Sequence, residues 1–111
     1  TRRQGESPMI VESVCPMTEY RIFVEEFKDS FDFIEESFEC SLTVQHGRGQ
    51  WVYEDEAEIE DSLVITIISD DITMKHQIQT FANNYSEQYN QECIAWTERQ
   101  VQFFTREYRK V

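Results

Sequence analysis

Two histidines, three cysteines and a dense run of carboxylates are the side chains of this 111-residue chain with chemistry to offer. His46-Gly47-Arg48-Gly49 stands out first. Backbone amides beside glycines, joined by a guanidinium, suit a phosphate or carboxylate. Two glycines lack the phosphate-loop spacing, however, and no Lys-Ser or Lys-Thr follows them. A β-bulge carrying an exposed Arg48 is the favoured reading, with a small-anion site at His46, Gly47, Arg48 and Gly49 as the alternative. His46 and His76 are the residue type for acid–base work or metal binding, but they lie far apart without a patterned partner and read as surface histidines. The run from Glu54 to Asp61 has hard-cation chemistry without the Asp-x-Asp-x-Asp-Gly order of a calcium loop; a solvated hairpin tip is the better fit. Cys15, Cys40 and Cys93 are widely spaced with no Cys-x-x-Cys pair, which reads as free, at least partly buried thiols rather than a zinc site. No serine sits in a nucleophile elbow. No catalytic residue, metal ligand or cofactor is therefore assigned, and the chain leans away from being an enzyme.

Charge excludes more than motifs do. Asp and Glu number 22 against 10 Lys and Arg, a net of -12. Arg2, Arg3, Arg99, Arg106, Arg109 and Lys110 lie near the ends, so residues 4–98 hold 4 bases against 21 acids, a net of -17. Such a field repels phosphate backbones, so direct nucleic-acid binding is not expected, whereas a basic protein partner is favoured. Solubility alone is the plain alternative. No apolar run reaches the ~20 residues of a membrane span. No signal peptide is visible and the cysteine count is odd, which points to a reducing, cytoplasmic setting.

The elements that must position these residues follow from periodicity. Residues 1–16 read as a flexible arm or edge strand that Pro16 interrupts. Tyr20, Ile22 and Val24 alternate as a strand. Phe27, Phe31, Ile34 and Phe38 recur as one helix face. Leu42 and Val44 open a strand that resumes through Trp51, Val52 and Tyr53 after the glycine pair. Ser62–Ser69 is almost wholly apolar and β-branched, which predicts a central strand buried on both faces. Asp70 and Asp71 can cap a helix whose stripe is Met74, Ile78, Phe81, Ala82, Tyr85 and Tyr89. In the last strand Ile94 and Trp96 share one parity and Val101 and Phe103 the other, which predicts a bulge or break near Glu98–Gln100. The tail 106–111 is basic and expected to fray. The order β-α-β-β-α-β is the α+β, ferredoxin-like split βαβ arrangement: a four-stranded antiparallel sheet with two helices on one face. A single domain over 17–105 follows.

Leu42-Thr43-Val44, Gly47-x-Gly49-Gln50-Trp51, Ile59-Glu60-Asp61-Ser62, the strand ending in Asp70 and Tyr89-Asn90-Gln91-Glu92 resemble a family of small bacterial proteins of unknown function. The resemblance runs from about Tyr20 to Trp96. It implies a ferredoxin-like domain broadly similar to the trimeric nitrogen-regulatory proteins, and it transfers no catalytic residue. The compact Phe-rich first helix, the missing export signal and the extension from Thr97 depart from the family pattern.

Together these features lead to a non-enzymatic regulatory or interaction domain that self-associates through its sheet as a homodimer or homotrimer. The hairpin 47–61 would read a basic protein partner. Arg48, Trp51 and Tyr53 are hot-spot residue types, and Glu54, Asp55, Glu56 and Glu58 would steer the encounter. One alternative is an acidic mimic of nucleic acid that inhibits a DNA- or RNA-binding protein. It needs the acids of 29–39 and 54–61 on one side of the molecule. A second is a small-anion sensor, or an enzyme, at a subunit interface near His46 and Arg48.

Overall fold

The computed structural model describes residues 9–109. The element order is β1 (Met9–Glu25), α1 (Ser30–Ser37), β2 (Thr43–Tyr53), β3 (Glu56–Ser69), α2 (Met74–Tyr89) and β4 (Ala95–Arg109). The strands form one antiparallel sheet in the order β2-β3-β1-β4. This is the ferredoxin-like arrangement that the periodicity predicts.

One row of the ladder shows how sequence becomes core. Val44 pairs with Ile65, Ile65 with Ile22, and Ile22 with Trp96, and directly paired residues of antiparallel strands point to the same face. Tyr20, Ile22, Val24, Leu63, Ile65 and Ile67 thus face the helices, where Ile34, Phe38, Met74, Ile78, Phe81 and Tyr85 close over them. Burying each such side chain is worth about 1.5–3 kcal/mol. The opposite residues of β3 are not buried: Val64 is half-covered and Ile68 exposed, because both helices lie on the other face. The expectation of a strand buried on both faces is corrected accordingly.

Three further expectations change. Pro16 does not interrupt β1, which runs unbroken from Met9 to Glu25. β3 stops at Ser69 opposite Thr18, so Pro16 pairs only with Gln102 of β4 and lies at a sheet edge, where a missing N–H costs no ladder bond. β4 has no bulge, since its register against β1 is continuous from Ala95 to Arg109. Arg106 and Arg109 accordingly sit in this strand, Arg106 beside Glu12 at 3.6 Å, while Lys110 and residues 1–8 lie outside the described residues. Lastly, α1 spans only 8 residues. Phe31 faces outward, and Phe33, off the expected stripe, makes edge contacts with Phe81, Tyr85 and Tyr89.

The sheet is staggered. Among the described residues, β1 before Thr18 has only β4 beside it, and β3 before Ser62 has only β2. Two ribbons therefore project in opposite directions, and the molecule measures 73 × 25 × 24 Å. Its radius of gyration is 19.8 Å, against about 13 Å for a compact chain of ~100 residues.

Candidate functional site

The β2–β3 hairpin is longer than the acidic run implies. Only Glu54 and Asp55 form its turn, and Glu56–Asp61 is already strand. Glu54 takes φ 52 there, a left-handed conformation that costs a non-glycine residue about 1–2 kcal/mol. The register places Trp51 opposite Glu58, Tyr53 opposite Glu56 and Gly49 opposite Glu60. These six share the sheet face that the helices leave open. Trp51 Nε1 donates to Glu60 Oε1 across the strands. Arg48 has the other parity, opposite Asp61, and does not join the two aromatic anchors.

The glycine pair makes no bulge. The β2–β3 register is continuous and neither glycine has positive φ. Successive amides of an extended strand point to opposite edges, so they do not converge as an anion nest does. His46 is occupied on the helix side, with Nδ1 2.6 Å from Glu26 Oε1 and its ring 5.5 Å from that of Phe31. The four residues of the anion reading are therefore neighbours in sequence that the fold does not aim at a common point. His76 is exposed on α2. Cys15 and Cys93 are exposed and Cys40 half-buried, burial pushing the Cys40 thiol up. Among the described residues, no group of three or more His, Cys, Asp or Glu is arranged to hold a metal ion.

Behind the hairpin the chain builds a cavity. Tyr85, fully buried, donates to the Glu25 carbonyl at 2.6 Å and lies 2.7 Å from Ser30 Oγ, which accepts from Phe27 N at 2.7 Å. This fixes the end of β1. At the end of α2, Asn90 adopts φ 53 and its N–H bonds Ser86 O, a left-handed helix stop. The turn brings Gln91 round so that its Nε2 donates to Glu25 Oε2 at 3.0 Å. Between this connection and the open face of the hairpin lies a space of about 450 Å³, lined by Glu25, Trp51, Tyr53, Glu58, Glu60 and Glu92 together with Asn90, Gln91 and Cys93. Burial holds the Glu60 carboxyl above the usual range; the Trp51 N–H pulls the other way, and Glu25 and Glu58 add to the rise. Partial desolvation also raises the exposed Tyr53 phenol, with Glu92 next in effect. Glu25, Gln91 and Glu92 were not legible as site residues. Gln91-Glu92 carries part of the family resemblance, but nothing local says that Gln91 reaches back to β1.

Residues 18–104 match the model of a family described as protein of unknown function, DUF3574. The chain belongs to the DUF3574 family. No curated protein matches it in sequence. Among solved structures, this DUF3574 chain is similar in fold to a phage SAM lyase in its apo state, at TM-score 0.58 and 16% identity, covering 100% of this chain and 96% of the other. It is also similar to apo CPII, a nitrogen regulatory PII-like protein from Thiomonas intermedia K12, at TM-score 0.55 and 9% identity over 86% and 99%. CutA from Synechococcus elongatus PCC7942 follows at TM-score 0.53 and 6% identity over 87% and 85%. At such identities the likeness is one of fold. No helix of the described residues is long and apolar enough to cross a membrane.

Proposed function

We propose that this DUF3574 chain is a non-enzymatic regulatory domain that self-associates and uses its β2–β3 hairpin to contact a basic protein partner. The observation that carries the reading is the hairpin itself. Its outer half, 49–60, has no third strand beside it among the described residues and presents Trp51 and Tyr53, 38% and 57% exposed, on one face with Glu56, Glu58 and Glu60. Aromatic anchors in an acidic field combine hot-spot chemistry with long-range steering toward positive charge.

Self-association is supported by what the fold leaves bare. The ribbon of β1 and β4 exposes Ile10, Val14, Phe104 and Tyr108 on one face and Phe103 on the other. A two-stranded ribbon alone in water is marginal at best, and apolar patches of this kind mark interaction surfaces. A homodimer or homotrimer would cover it.

The nucleic-acid mimic has less support. It needs α1 and the hairpin tip on one side, yet α1 covers the helix face while Glu56, Glu58 and Glu60 project from the open one. A small-ligand reading draws on the cavity and on two neighbours. CPII is described bound to ADP, AMP and bicarbonate, and the phage SAM lyase in complex with S-methyl-5'-thioadenosine. Four carboxylates at the cavity work against a nucleotide's phosphates there, so a ligand in this chain's cavity would be neutral or cationic.

Capture of partners from the source cells, comparing the native chain with Trp51→Ala and Tyr53→Ala, tests the reading. A basic protein retained by the native chain, lost by both hairpin variants and kept by Phe31→Ala is the expected result. Retention that ignores both variants rejects it.

A further inference from the structure

We propose that the cavity at the hairpin base is a pocket for an arginine side chain that the partner presents next to an apolar residue. This names the partner chemistry of the hairpin and rests on the reading above.

The cavity of about 450 Å³ is lined by Glu25, Glu58, Glu60 and Glu92, and no Lys or Arg is among its lining residues. Elsewhere on the open face Glu19 is neutralised from within, receiving Arg21 at 3.2 Å and Arg99 more closely. Here several like charges surround one space with no Lys or Arg among the described residues that line it. Trp51 and Tyr53 wall the same space. Ring faces attract cations, and a planar guanidinium both stacks on rings and forks its donors onto carboxylates, which a lysine ammonium does not do.

A second feature adjoins the first. A trough of about 400 Å³ on the open sheet face, lined by Phe23, Val64 and Ala95 with Gly47, Arg48 and Gly49, shares Trp51 and Glu60 with the cavity. The glycines explain why the trough exists. A Cβ at Gly47 would stand 3.1 Å from Ser62 Oγ, and one at Gly49 would stand 3.6 Å from Glu60 Cγ and 3.6 Å from Trp51 Nε1. Side chains at these positions would fill it. An apolar body in the trough with its positive group in the cavity would touch Trp51 from both sides. The requirement is an apolar side chain adjacent to arginine on one extended segment.

The test uses the full chain carrying Trp96→Phe, which leaves Trp51 as the one indole of the two in the sequence. N-acetyl-Phe-Arg-amide is titrated against Trp51 fluorescence, beside its neutral isostere N-acetyl-Phe-citrulline-amide and N-acetyl-Gly-Arg-amide. Saturable binding of Phe-Arg is expected, with the citrulline form weakened by about tenfold or more, the scale of a charge-assisted pair. Glu60→Gln and, separately, Glu58→Gln should each weaken Phe-Arg several-fold. Gly49→Val, which fills the trough, should bring Phe-Arg down to the affinity of Gly-Arg. No saturable change, or equal binding of arginine and citrulline, overturns the pocket. If partner capture still depends on Trp51 and Tyr53 in that event, the hairpin reading survives and the pocket alone falls.

Discussion

Tyr85→Phe isolates the interaction that ties the helices to the end of β1. The phenol is completely buried, donates to the Glu25 carbonyl at 2.6 Å and shares a 2.7 Å bond with Ser30 Oγ. The substitution keeps the ring and its contacts with Phe33 and Phe81, so packing is nearly unchanged. It removes two hydrogen bonds worth about 1 kcal/mol each net, and leaves a part-buried carbonyl without its donor, for which ~1 kcal/mol more is reasonable. Ser30 Oγ still accepts from Phe27 N, while its own O–H loses the phenol oxygen it donated to. The expected loss is about 2–3 kcal/mol, or roughly 8–15 °C for a domain near 100 residues. Urea unfolding of both proteins at pH 7, with thermal melts alongside, gives the difference directly. Because Glu25 lines the cavity, binding at the hairpin should weaken as well. A change below about 0.5 kcal/mol, the scale of an ordinary surface substitution, would refute the network as the anchor of this corner.

Three other outcomes follow from the structure. Glu54→Gly should raise the melting temperature by a few degrees by relieving the left-handed backbone at φ 52, a gain of about 0.5–1 kcal/mol after glycine's own entropy is counted; a lower melting point would show that the turn is not strained. Glu19 is held below its ordinary 4.5 chiefly by the Arg99 hydrogen bond, against its burial and with help from Arg21. A carboxylate with a depressed folded value adds stability above its unfolded value and loses it as pH falls through the folded one. Glu19→Gln should therefore be less stable at pH 7 and show a shallower acid limb below pH 4.5; parallel pH profiles would contradict this. For self-association, sedimentation velocity should find the native chain larger than a monomer and the pair Val14→Glu, Phe104→Glu shifted toward it; native protein sedimenting as a monomer would reject the covered ribbon.

Much of the fold was legible because one side of each element meets the core. The alternation Tyr20-Ile22-Val24 and the stripe Met74-Ile78-Phe81-Tyr85 both read directly into buried side chains. The misreadings share a cause: the core covers only part of the sheet. Trp96 faces the helices while Val101 and Phe103, one parity away, face the open side along an unbroken strand. Among the described residues, β3 no longer flanks β1 before Thr18, so β1 and β4 run on as a two-stranded ribbon, and apolar residues change faces without any backbone irregularity. In the sequence Pro16 reads as a break for a similar reason, since its tolerance depends on where β3 ends, about fifty residues away. The glycine pair likewise marks a trough on the open face rather than a bulge. In the site, Trp51, Tyr53, Glu56 and Glu58 could be gathered from strand parity, and the same parity separates Arg48 from them. Glu25 and Glu92 could not, because the cavity depends on how α2 stops at Asn90 and on the long-range bond from Gln91 to Glu25.

Hydrogen exchange of the chain, alone and with its captured basic partner, tests the central claim most directly. The account expects slowed exchange concentrated in 49–60 and at 90–93, with α1 and the outer face of α2 unchanged. Protection confined to the helices, with the hairpin exchanging as freely as before, would contradict it.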